Sequence, residues 1–307
     1  MDKFQPYINY LEIGELYQKL GEIGQAKDSF LKVTECPELA ALAWTKLAKL
    51  EFSKNHHKSA KQCYLNALEL SKDSYEILYN YANFLVDIQE YEEAIRYYQL
   101  ALDKEPHLTL AHYNMGVSYS RLENFEEAIK CYLEALKMNP DDFGCYYDLG
   151  ILYYELGNLK EAVVNLQQAL HLDPKASKVY ELSAQCFVKT GQMDIALAFY
   201  KKAVECNPTD PTIYYRVGDL LLGMGDSTNA LKFFDQALSF NAVDALLIYK
   251  RSCSYAGLGK VEEALKELSI AIKFNPIVKD MAKTDKAFDS LRDNPKFKEL
   301  VNIEQQL

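Results

Sequence analysis

No apolar run in this sequence approaches membrane-spanning length, no C-x-x-C pair occurs, and positive charge is in deficit. Each absence excludes something. A helix needs about 20 consecutive apolar residues to cross a bilayer, so membrane insertion is not expected. The opening stretch MDKFQPYINYLEIGELYQKLG holds no long apolar core, so no secretory leader is expected and the expected location is cytoplasmic. The seven cysteines are odd in number, and most fall where a small apolar residue fits a helix, so they read as reduced packing residues. Asn207, in the one Asn-x-Ser/Thr candidate, is blocked by Pro208. Lys+Arg total 34 against 44 Asp+Glu, a net charge of −10. A nucleic-acid partner needs a basic stripe to displace counterions, so none is expected. One local exception gathers Lys46, Lys49, Lys54, His56, His57, Lys58 and Lys61. It is either a solvated face or a docking patch for an acidic segment.

Catalytic patterns are missing as well. There is no H-E-x-x-H, no Walker-type phosphate loop and no G-x-S-x-G. Gly223-Met-Gly225 and Gly257-Leu-Gly259 begin like a dinucleotide fingerprint, but Thr228 and Glu262 stand where the third glycine belongs. Helix-end turns explain both. His56 and His57 are neighbours, and adjacent residues do not share a helical face. His112 occupies a slot that is otherwise apolar or aromatic. The expectation is no cofactor, no metal and no enzyme.

What is present is a period. Alanine recurs every 34 residues, at Ala26, Ala60, Ala94, Ala128, Ala162, Ala196, Ala230 and Ala264. A spacing in that range marks a stacked array of helical units. Frames begin at 7, 41, 75, 109, 143, 177, 211 and 245, the last closing at 278. Within each frame, places 4, 7, 8 and 11 form one helical stripe and places 17, 20, 21, 24, 27 and 28 a second. Small residues at places 8 and 20 let two backbones approach, and large ones at 4, 11 and 24 fill the space beside them. Place 15 is Gly in five frames, ending the first helix in the left-handed region, and Asn55 can do the same. Place 32 is Pro in five frames, which separates one unit from the next. The second frame departs from the pattern: Glu51 stands where Tyr is usual and His57 where an apolar residue is usual. Its first helix is therefore expected to be shifted or looser. The seventh has Ala242 in place of Pro.

These residues resemble the tetratricopeptide repeat, most closely in Asn114–Tyr119 with Ala128, Tyr132, Ala135 and Pro140, and in Tyr146 through Pro174. The resemblance implies an all-α, α-α superhelical solenoid of eight helix-turn-helix repeats over residues 7–278. Residues 279–307 follow no further copy and are expected to cover the eighth unit as capping helices. The resemblance also implies that places 2, 5, 9, 12 and 13 face a concave groove that binds a protein or peptide. Mapped onto this chain, with the asparagines of place 6, those places supply Tyr79, Asn80, Asn83, Tyr113, Asn114, Val117, Tyr147, Ile151, Tyr154, Tyr215 and Tyr249. Tyrosines are rigid and amphipathic, and amides pair with an extended backbone. The carboxylate clamp of heat-shock co-chaperones does not fit the window after Tyr79. Gly144 and Asp148 stand where that clamp has Lys and Arg, and Asp148 would repel a carboxylate. The leading expectation is a non-catalytic scaffold or adaptor that assists assembly of a larger complex. Self-association as a structural array, and service as the recognition subunit of a separate enzyme, are the alternatives.

Overall fold

In the computed structural model, residues 3–240 and 244–302 are described. Ala242 and residues 303–307 of the expected closing segment lie outside them. The chain divides into two compact units, residues 1–145 and 146–307.

The first unit is a row of helix pairs: α1 (Gln5–Lys19) with α2 (Ile23–Val33), α3 (Pro37–Ser53) with α4 (His57–Leu70), α5 (Tyr75–Asp87) with α6 (Tyr91–Lys104), and α7 (Thr109–Arg121) with α8 (Phe125–Met138). The division falls within α9 (Phe143–Glu155). The second unit continues with α10 (Leu159–Leu172), then α11 (Ser177–Lys189) with α12 (Met193–Cys206), α13 (Pro211–Gly223) with α14 (Ser227–Phe240), and α15 (Ala245–Gly257) with α16 (Val261–Phe274). It closes with α17 (Ile277–Thr284), a 3₁₀ turn (Lys286–Leu291) and α18 (Pro295–Asn302).

The register does not slip. Every first helix ends at place 13 of its frame and every second helix begins at place 17. The reason lies in the turn between them. Place 15 has positive φ in all eight frames: Gly21, Gly157, Gly191, Gly225 and Gly259, but also Asn55 (60°), Gln89 (65°) and Glu123 (58°). Glycine enters that region freely; a side chain such as that of Gln89 or Glu123 costs about 1–2 kcal/mol there. The fold imposes the same turn whatever residue the place holds.

Packing follows from the small residues. All eight place-20 alanines have no exposed surface. At place 8, a methyl group added to Gly116 would meet Tyr132 at 2.8 Å, and one added to Gly218 would meet Phe234 at 2.7 Å. The paired backbones are therefore close enough for the place-24 ring to lie against the glycine itself.

The second frame is not loose. Its first helix, α3, keeps the common end at place 13 and starts early, at Pro37. Glu51 fills the tyrosine slot at 5% exposure, held 2.6 Å from Lys27 Nζ and 2.9 Å from His56 Nδ1. An ion pair with Lys27 and a hydrogen bond with His56 replace the missing ring, and the His57 ring packs edge-on against Phe52. Lys27 first, then His56, holds the Glu51 carboxyl below its usual range. The basic cluster of this frame is partly neutralised: Lys46 pairs with Glu15, and Lys61 with Glu90 and Glu93. The solvated-face reading gains over the docking-patch reading.

At the far end of the second unit, Val278, Ala282, Phe288, Leu291, Phe297 and Val301 join one apolar cluster with Leu247, Tyr249 and Leu265. Phe288 stacks on Phe297 at 5.5 Å and lies 6.0 Å from Tyr249. At the start of the chain, Tyr10, Ile13 and Leu16 on α1 and Leu20 just after it are exposed. All seven cysteines are free. Burial pushes the thiols of Cys131 and Cys253 up to about 12 and that of Cys186 to about 11, so they are neutral packing groups.

Candidate functional site

In the first unit, α5 and α7 are first helices of successive pairs, and the side chains of places 5, 6 and 9 meet between them. Asn114 Nδ2 donates to Asn83 Oδ1 at 2.9 Å and to the Tyr79 hydroxyl at 3.2 Å. The Tyr98 hydroxyl, from α6 behind, donates to the same Asn83 oxygen at 2.6 Å. Tyr98 is fully buried, and burial raises its hydroxyl pKa well above the ordinary value, so it stays a donor. Two donors on one oxygen fix the flip of the Asn83 amide. The Asn114 main-chain carbonyl accepts from the Ser118 hydroxyl at 2.9 Å. Tyr79, Asn83 and Asn114 are half-buried, so the cluster is both ordered and reachable.

The other expected residues of this unit behave differently. Asn80 Nδ2 turns back onto the Glu76 carbonyl of its own helix at 2.7 Å, which commits one of its amide donors. Tyr113 leans on Tyr132, ring centroids 5.5 Å apart, and its hydroxyl lies where a Cβ on Gly144 would touch it at 3.2 Å. Val117 is half-buried on the same helix.

In the second unit, Tyr154 and Tyr215 line one cavity together with Gln185, Val188, Lys189, Tyr200, Arg216, Asp219 and Leu220. The Tyr154 hydroxyl donates to Gln185 Oε1 at 3.4 Å. Tyr147 and Ile151 are half-buried on α9, and burial, then Asp148, raises the Tyr147 hydroxyl pKa. Tyr249 is a core residue instead. It is 1% exposed, and its hydroxyl donates to Asp285 Oδ2 at 2.7 Å under the closing segment. The place-5 tyrosine of the last frame is thus packed against the 3₁₀ turn, where Asp285 and Phe288 meet it.

Sequence spacing missed Tyr98 as the anchor of the amide pair, since its place is a core slot. Lys189 sits at place 13, one of the groove-facing places, so that spacing was the signal that could have found it; the company of Tyr200 had none. Among the described residues, no group of three or more His, Cys, Asp or Glu is placed to hold a metal ion. No described helix is long and apolar enough to cross a membrane.

A family model described as the cilia and flagella-associated protein 70 C-terminal domain matches residues 18–247. No curated protein matches the chain. Among solved structures, it is similar to YrrB, described as a TPR protein with an unusual peptide-binding site, at 25% identity. That match covers 61% of this chain and 96% of YrrB, with a TM-score of 0.52. A tetratricopeptide repeat protein from Parabacteroides merdae is 20% identical, covering 81% of this chain and 99% of its own, with a TM-score of 0.58. The C-terminal part of a TPR repeat-containing protein from Cytophaga hutchinsonii is 16% identical, covering 78% and 98%, with a TM-score of 0.68.

Proposed function

We propose, for a chain that belongs to the TPR family of the cilia and flagella-associated protein 70 C-terminal domain, a non-catalytic role as a protein-interaction scaffold. Its first helices hold an extended segment of a partner, and so assist assembly of a larger complex. One observation carries the reading: the Asn83–Asn114 pair is pre-oriented by Tyr79 and Tyr98. The second groups of these two amides, an NH₂ and an oxygen, are a donor and an acceptor of the kinds a peptide group pairs with, and fixing the amides beforehand lowers the ordering cost of binding. The description of YrrB as a TPR protein with a peptide-binding site supports peptide binding here. Tyr79 and Tyr113 supply apolar area beside the amides, as anchors with few rotamers to lose.

The test uses the intact chain on a surface and a random dodecapeptide library. Peptides retained by the wild type should be lost from Asn83→Ala/Asn114→Ala and weakened by Tyr113→Ala/Tyr147→Ala, with helicity by circular dichroism unchanged. Undiminished retention by both variants removes the reading.

A second reading, association with another copy, is favoured by α1. Ile13 is 41% exposed, whereas Leu47, Tyr81 and Leu149 at the same place of later frames are at most 1% exposed. Light scattering over a concentration series separates a dimer, abolished by Ile13→Lys, from a monomer.

A further inference from the structure

The cavity between α9, α11, α12 and α13 has a volume of about 260 Å³ and is lined by both aromatic and charged side chains. Its aromatic wall is Tyr154, Tyr200 and Tyr215. The Lys189 ammonium lies over the Tyr154 ring, 3.6 Å from the centroid. Among the described residues it makes no ion pair, so its charge is met only by the ring face. Arg216 Nε lies 2.7 Å from Glu181 Oε1, yet it is buried and off-line, without a hydrogen bond. The same guanidinium reaches the Tyr200 hydroxyl and offsets part of the burial that pushes it up to about 12. Asp219, on the rim, is held by Lys250 at 2.6 Å. Arg216 and Lys250 thus each stand beside a carboxylate, and Asp244 also faces Tyr215 from the adjoining hollow, whereas Lys189 is the cation of this group without a carboxylate partner.

We propose that this cavity receives the side-chain carboxylate of an Asp or Glu in the bound segment. Lys189 and Arg216 donate to it, and the tyrosine rings cover its methylenes. The inference rests on the peptide-binding reading and names the chemistry of the partner. One ammonium without a carboxylate partner suits a monoanion; a phosphate dianion would press on Glu181, Asp219 and Asp244. The planar guanidinium of Arg216, half-buried beside the cavity, matches the geometry of a carboxylate. The acid lies within the segment rather than at its end. Tyr215 also lines a second hollow of about 190 Å³ with Pro211, Thr212, Asp244, Leu246 and Leu247, so a chain seated in the first cavity runs on into the second. That hollow is rich in apolar side chains, and the residue beside the acid is therefore apolar.

The experiment is a positional-scanning dodecapeptide library on the intact chain. One position is fixed in turn as Asp, Glu, Gln, Lys or phosphoserine, with each peptide made as free acid and as C-terminal amide. Expected is about a tenfold preference for Asp and Glu over Gln, shrinking as salt rises and equal for acid and amide termini. Lys189→Gln and Arg216→Gln each abolish most of it. Lys202→Gln, an exposed lysine elsewhere on α12, leaves it intact. Lys189 is itself exposed, so its substitution tests the inference even if the Arg216 variant does not fold. Peptides retained with no acidic preference, with a preference for phosphoserine, only as free-acid termini, or with a preference that survives both variants overturn this inference alone. Retention of no peptide at all overturns it together with the scaffold reading.

Discussion

Gly150 offers the sharpest test of how the paired helices are held. It lies at place 8 of its frame on α9, and a Cβ built on it would stand 2.6 Å from Leu166 Cδ2 and 2.8 Å from Leu166 Cγ. Carbon atoms at optimal separation sit about 3.5–4.0 Å apart, so Gly150→Ala overlaps by roughly an ångström. Leu166 has no exposed surface and cannot swing out. The clash must be relieved by parting α9 from α10, at about 1–3 kcal/mol. Gly157, seven residues on, is the control. Its φ is +77° and nothing lies within 4 Å of an added Cβ. Gly157→Ala costs about 1–2 kcal/mol through backbone strain alone. The two glycines therefore respond alike in sign and differ in cause. Leu166→Ala separates them: it should offset the Gly150→Ala cost with a coupling of about 1 kcal/mol or more, and leave Gly157→Ala unaffected. Repeat arrays do not unfold strictly in one step, so native-state hydrogen exchange in α9 and α10 is the assay, rather than a single melting midpoint. Protection unchanged by Gly150→Ala, or strictly additive costs with Leu166→Ala, refutes the close-approach argument.

Three further outcomes follow from the same geometry. Gln89→Gly and Glu123→Gly relieve left-handed strain at place 15 and should each stabilise the first unit by about 1 kcal/mol in urea titrations; a loss of stability would count against the strain. Glu51→Gln removes the charge that Lys27 and His56 face, and should cost about 1–2 kcal/mol at neutral pH. Because the folded carboxyl is held low, its contribution is present above the unfolded value of about 4.3 and vanishes as pH falls through the folded one. Lys27 is raised, so its share is lost only as pH climbs past its unfolded value. Wild type and variant should therefore converge in acid, and a gap that persists below the folded carboxyl pKa would show that charge is not the cause. Phe288→Ala empties a fully buried site between Tyr249 and Phe297, at about 3–5 kcal/mol. It should free α17 and α18 for proteolysis while α11 to α14 stay protected, and cleavage no faster than wild type would argue against the capping role.

Much of the architecture is readable without coordinates, because a helix pair stated eight times averages out local exceptions. The alanine ladder, the place-15 turn and the apolar stripes determine how many helix pairs there are, where they start and stop, and which face is buried. Periodicity reports what neighbouring units share. It is silent on what each does once: the Lys27 and His56 contacts that hold Glu51 in a ring's slot, or the Asp285 and Phe288 contacts that bury Tyr249. The candidate site divides the same way. Spacing marks Asn83 and Asn114 as facing one way, but only packing brings a hydroxyl from a different helix onto the Asn83 oxygen and fixes the amide. Spacing likewise cannot foresee that Lys189 meets a ring while Arg216 stands beside a carboxylate it does not properly bond. Backbone geometry is dictated locally, by side-chain size and turn preference, and so is written into each repeat. Charge balance and hydrogen-bond pairing depend on which side chains from distant frames arrive at one point, and that only the tertiary structure decides.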